Sequence, residues 1–138
     1  MKNVGVMMLL AMVVSACRDS EEKVVSQLAK EFTEAYYNQD LRKAKGYCHQ
    51  DLYPIMNFRI SNLTDRDRAF QKAAGKVKVK VVDCQFDTDD DIAYVDVEVS
   101  NFLRINYMTD SLSIVPCDTM EVILVNPYGK NWYVNSLF

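Results

Sequence analysis

Residues 76–86 read KVKVKVVDCQF, and this run decides the fold. Before it the apolar residues recur at helical spacing; from Lys76 they recur at every second position. Val77, Val79 and Val81 fall on one face and Lys76, Lys78 and Lys80 on the other, the pattern of a half-buried strand. The adjacent pair Val81-Val82 then shifts the phase by one residue, which predicts a bulge and a strongly bent strand.

Downstream, the period of two persists. After the acidic loop Asp87–Asp91, Ala93, Val95, Val97 and Val99 alternate with Tyr94, Asp96, Glu98 and Ser100. Alternation turns the first set inward and Asp96 and Glu98 outward. Phe102 to Met108 continues this strand after a second phase shift. Thr109-Asp110-Ser111 reads as a turn and 112–125 as a third strand, with Pro116 setting its first half at an edge or bulge. Asn126-Pro127-Tyr128-Gly129 is a further turn, and a last strand is predicted over 131–138.

Upstream, Val25, Leu28, Ala29, Phe32, Ala35 and Tyr36 form the apolar stripe of an amphipathic helix. Asp19 or Ser20 is expected to cap its start. Asp40 caps a second, shorter helix carrying Leu41, Ala44, Tyr47 and Cys48. Tyr53-Pro54 reads as a turn. Thr64 caps a third helix over 65–74, closed by Gly75. Helices followed by a strand meander predict an α+β domain. Its long N-terminal helix and short helices would pack on one curved, four-stranded antiparallel sheet.

Two stretches carry a family resemblance. Phe32 to Tyr47 fits F-x-x-A-Y-x-x-x-D-L-x-K-A-x-x-Y, and residues 124–134 read LVNPYGKNWYV. Both resemble the nuclear transport factor 2-like, or cystatin-like, superfamily, in its helical start and its closing hairpin. The resemblance implies a cone with a pocket between the long helix and the concave sheet face. Tyr36, Tyr53, Phe58, Val97 and Trp132 are the residues expected to line it.

The amino-terminal run MKNVGVMMLLAMVVSAC carries one cation, Lys2, and no charge from Val4 to Val14. That apolar length is about half of the roughly 20 residues a membrane-spanning helix needs, so the run reads as an export signal. Val14-Ser15-Ala16-Cys17 resembles the lipobox of bacterial lipoproteins, and the acidic RDSEEK after it resembles surface-export signals of Bacteroidota lipoproteins. The resemblance implies cleavage before Cys17 and acylation of that cysteine. The expected organisation is a signal peptide at 1–16, a lipidated tether at 17–22 and one α+β domain at 23–138. The implied partner is a lipid bilayer of the cell envelope, with the outer membrane favoured.

Composition narrows the activity. Without residues 1–16 the chain has 122 residues, 15 cations and 19 acids, a mildly acidic single domain with no footprint for nucleic acid. Cys48, Cys84 and Cys117 are too few for a disulfide framework, and no C-x-x-C pair supports zinc. Asp87, Asp89, Asp91 and Glu98 match acidic positions of a calcium loop, but Ile92 stands where that loop needs glycine, so the run reads as a solvated hairpin. His49, the only histidine, reads as a capping or surface residue.

No catalytic group, metal or cofactor is therefore assigned. The expected function is a non-enzymatic binding or scaffold module for a protein partner or a small apolar ligand, with a homodimer through the sheet face as a further possibility. The alternative is a small-molecule isomerase, dehydratase or hydrolase using the cone pocket.

Overall fold

In the computed structural model, the backbone of residues 2–138 and the side chains of residues 18–138 are described. Cys17, the expected lipidation site, lies outside the described side chains. Four helices precede a four-stranded antiparallel sheet of order β1-β2-β3-β4: α1 (Lys2–Tyr37), α2 (Leu41–Gly46), α3 (Tyr53–Asn62), α4 (Asp65–Ala74), β1 (Lys78–Phe86), β2 (Ile92–Asn106), β3 (Ser111–Val125) and β4 (Tyr133–Val134). The domain is α+β. Among the described residues no helix is long and apolar enough to cross a membrane.

The alternation around Lys76 behaves as its chemistry dictates. Val77 and Val79 are buried while Lys76, Lys78 and Lys80 are exposed. The β1–β2 register slips between Val81 and Asp83, so Val82 is the extra residue and its side chain is exposed. Ala93, Val95, Val97 and Val99 are fully buried under α1, which contributes Val25, Ala29, Phe32 and Tyr36 from the expected stripe. The space between α1 and the sheet is filled by this core.

A second irregularity bends β2. Asn101 adopts φ 63°, and the β2–β3 register passes from Ser100↔Cys117 to Phe102↔Val115 without pairing Asn101 to Pro116. Proline has no N–H to give the ladder, so the skipped pair falls where the ladder loses least, and the register is the same on both sides of it. The inward phase changes there: Val99 is buried, and then Phe102 and Leu103 are buried in succession.

The caps follow the sequence. The Asp40 side chain accepts from the Lys43 N–H at 3.4 Å. Thr64 and Asp67 form a reciprocal capping box at α4, which ends at Gly75 with φ 92°. Asp19 and Ser20, expected as caps, lie inside α1 instead.

Two elements differ from expectation. Tyr53-Pro54 opens α3 rather than making a simple turn, because proline in the first helical turn lacks only an N–H that would be orphaned anyway. The last strand is two residues long, not eight. The Ser136 hydroxyl takes the Ile123 N–H at 2.9 Å, and the Val134 N–H and carbonyl bond to Tyr47 and His49. The Asn135 N–H still donates to the Ile123 carbonyl at 2.8 Å, and the chain leaves the ladder after it.

Candidate functional site

The filled core leaves open space at one end of the domain. There the last turn of α1, α3, the outer half of β2 and the tail Leu137-Phe138 enclose an open cavity of about 840 Å³. It lies beside the end of α1 and not midway along the sheet, where the core is closed.

The floor is aromatic because three elements deliver rings to the same place. Tyr36 and Tyr37, at the end of α1, are both buried. Phe102 reaches them because the kink at Asn101 resets the phase of β2; its ring lies 4.8 Å from that of Tyr37, centroid to centroid. Phe138 closes the cluster at 5.5 Å from Tyr36 and 5.2 Å from Tyr37. Aromatic contacts at such separations contribute about 0.5–1.5 kcal/mol each beyond burial. At the mouth, Phe58 and Tyr107 are 68% and 81% exposed, an uncommon placement for rings that size.

Polar groups share the wall, among them the Tyr36 and Tyr37 hydroxyls, Arg59, Asp67, Arg104 and Glu121. The Tyr37 hydroxyl donates to Met120 Sδ at 2.9 Å, and burial pushes its pKa well above the usual phenol value, with Arg104 opposing and Asp118 adding. The Tyr36 hydroxyl is buried and has no hydrogen-bond partner among the described residues. Arg59 stands with its guanidinium carbon 5.3 Å from the Tyr36 ring centroid. Arg104 stands 5.8 Å over Phe102 and pairs with Asp118 at 3.2 Å. Asp67, the buried carboxylate of the wall, accepts the Thr64 N–H at 3.2 Å.

The expected ligand residues separate. Tyr36 and Phe58 line the cavity. Tyr53 lies outside it, beneath the Lys45 ammonium at 4.8 Å. Val97 is sealed in the core, and Trp132 packs edge-on against Phe86 at 5.9 Å. Arg59, Phe102, Arg104 and Phe138 are wall residues that sequence reading did not single out. Arg59 sits on the helix read as a turn, and Phe102 needed the second phase shift to be followed through to its consequence.

The other constellations resolve simply. Asp87, Asp89 and Asp91 bring carboxylates within 4.8 Å of one another. Asp87 Oδ1 accepts the N–H groups of Asp91 and Ile92, closing the β1–β2 hairpin, and hydrogen bonding with Asp87 raises the Asp91 carboxyl. Glu98 is remote from that loop in β2, opposite Lys80 and Thr119. His49 caps a short 3-10 turn, its Nδ1 accepting from the Asp51 N–H at 3.3 Å. No family model, curated protein or solved structure matches the chain.

Proposed function

We propose that this protein is a lipid-anchored envelope protein that binds a small, largely apolar ligand in the cavity at the end of α1. The cavity carries the reading. Its volume falls within the range of about 300–1,000 Å³ typical of small-molecule sites, and its lining combines aromatic rings with polar side chains. Of the two carboxylate residues that line it, Asp67 is engaged in the α4 capping box and Glu121 is exposed, which favours binding over the acid–base chemistry of an isomerase or dehydratase.

Anchoring rests on Val14-Ser15-Ala16-Cys17 and on the exposed polar stretch Arg18–Lys23 that follows. From Arg18 to Tyr37 an α-helix rises roughly 30 Å at about 1.5 Å per residue, so the cavity opens far from an acyl group on Cys17. The order of helices before a bent antiparallel sheet supports the cystatin-like cone as the fold type.

Two measurements test the reading. The neutral fluorophore N-phenyl-1-naphthylamine should bind the full chain saturably, and Ile105→Trp, which fills the cavity from β2, should weaken it at least tenfold. A chain that gives no saturable fluorescence change refutes the ligand reading. Cys17→Ala should shift the protein out of the membrane fraction or leave it unprocessed. Unchanged membrane retention of a processed Cys17→Ala chain refutes the anchor.

A further inference from the structure

We infer that a second hollow, between the end of α1 and the last turns of α4, binds a phosphate group through Arg68, Lys72 and Lys76. It has a volume of about 360 Å³. Asn38 and Gln39, just after α1, form one side, and Arg68, Gln71, Lys72 and Lys76, at and beyond the end of α4, form the other. Three of the described residues that line it are cations and none is acidic, in a chain whose net charge is −3. The carboxylates nearest in sequence, Asp40 and Asp67, are occupied in capping α2 and α4.

Local geometry gathers the charges. Arg68 and Lys72 are four residues apart and share one face of α4, beside the buried Asp67 and Gln71. The helix ends at Gly75, whose φ of 92° turns the chain so that Lys76 lines the same hollow. Like charges held together repel, and little in the fold offsets this. Among the described residues Lys72 and Lys76 have no carboxylate within ion-pair distance. Arg68 meets Asp65 through Nη1 at 3.1 Å, but the Asp65 side chain is fully exposed, and such surface pairs are weak.

Neutral donors face the cations. Asn38 Oδ1 accepts the Val77 N–H at 3.1 Å, which leaves the two Nδ2 hydrogens for another acceptor. Gln39 holds φ 67°, uncommon for a residue with a side chain, and its Nε2 makes only a long bond of 3.5 Å to the Tyr37 carbonyl. Gln71 has nothing to spare: its amide serves the Gly75 and Asn101 carbonyls and the Leu103 N–H, so it is a fixed floor. A phosphate monoester carries about 1.5–2 negative charges at neutral pH on three strong acceptor oxygens. That group matches cations and donors converging from two sides. A carboxylate, with one charge in one plane, leaves part of the set unmatched. A soluble phosphate ester and a lipid headgroup present the same chemistry, and the experiment separates them.

The test is an amide NMR titration of the 15N-labelled full chain with inorganic phosphate, at an ionic strength held constant with chloride so that screening does not change. The Gln39, Gly75 and Lys76 amides should shift saturably, and acetate should bind at least about tenfold more weakly. Lys72→Gln combined with Lys76→Gln should weaken phosphate at least about tenfold. Lys78→Gln combined with Lys80→Gln removes the same charge from the neighbouring strand and should change binding by less than about twofold. Unmoved amides elsewhere report that each variant is folded. No saturable shift, equal binding of acetate, or an equal loss in the two double variants overturns the site. Co-sedimentation with phosphatidylcholine vesicles, with and without phosphatidate, then assigns the source. An excess on phosphatidate that Lys72→Gln with Lys76→Gln abolishes makes the group a lipid headgroup, and any other result makes it a soluble ester.

Discussion

Gln71 and Asn101 hold α4 against the kink of β2 from both sides. Gln71 Nε2 donates to the Asn101 carbonyl at 3.0 Å, and Asn101 Nδ2 donates to the Ala74 carbonyl at 2.7 Å. Gln71 Oε1 also accepts the Leu103 N–H at 2.8 Å, so one buried amide serves main-chain groups on both sides of the break. The kink is what turns Phe102 toward Tyr37, so this clasp shapes the cavity although neither residue touches a ligand. Gln71→Ala orphans the Asn101 carbonyl and the Leu103 N–H in a buried place, each worth about 1–3 kcal/mol when left unsatisfied. The expected loss is about 2–4 kcal/mol in urea unfolding, with weaker N-phenyl-1-naphthylamine binding in the fraction that remains folded. A loss below about 0.5 kcal/mol would mean the clasp is ornamental.

Tyr36→Phe separates the two parts of that residue. The ring stays among Phe32, Tyr37 and Phe138, while a buried hydroxyl with no partner among the described residues disappears. Removing an unsatisfied polar group stabilises the unliganded fold, here by about 1 kcal/mol, seen as a rise of a few degrees in Tm. A fall in Tm would show that the hydroxyl has a partner in the free protein.

The sheet was legible because each of its devices is a local chemical fact. Val81-Val82 broke the alternation and became a bulge; Pro116 lacked an N–H, and the β2–β3 ladder skips one pair there while keeping its register. Thr64, Asp67 and Gly75 bounded α4 because side-chain capping and left-handed closure are written in residue type. α3 was hidden for the converse reason. Its apolar residues Ile55, Met56, Phe58 and Ile60 make no stripe, since Ile55 and Phe58 are exposed and only Met56 is fully buried. Missing α3 concealed Arg59, and with it the polar side of the cavity. Phe138 could not be assigned from periodicity either, because beyond β4 the chain follows no period and its ring is placed by tertiary contact alone.

Phe32 tests whether α1 and the tail form one core. Its ring is fully buried, 5.7 Å from that of Tyr36 and 5.8 Å from that of Phe138. Phe32→Ala should cost about 3–5 kcal/mol, the range for a buried phenylalanine whose site cannot collapse. Because Phe138 loses a stacking partner, the cavity should loosen as well, with faster dissociation of N-phenyl-1-naphthylamine. An unchanged unfolding midpoint would mean that this face of α1 is not core.

The thiols offer a pH test with a definite sign. Cys48 is buried and its sulfur donates to the Ala44 carbonyl at 3.5 Å; burial pushes its pKa from 9.0 to about 11. The folded state thus favours the neutral thiol. That contribution to stability is fully present below the unfolded value near 9 and is lost as pH rises toward about 11. Cys117 is exposed, and Cys84 lies between the two, its thiol also raised by burial. At pH 8, alkylation by iodoacetamide followed by peptide mapping should label Cys117 first and leave Cys48 unmodified until urea unfolds the chain, because only an accessible thiolate reacts. Cys48→Ala should leave a smaller decline in stability between pH 9 and 11 than the wild-type chain shows. Ready labelling of Cys48 at pH 8 would mean that α2 opens from the core far more often than its buried contacts imply.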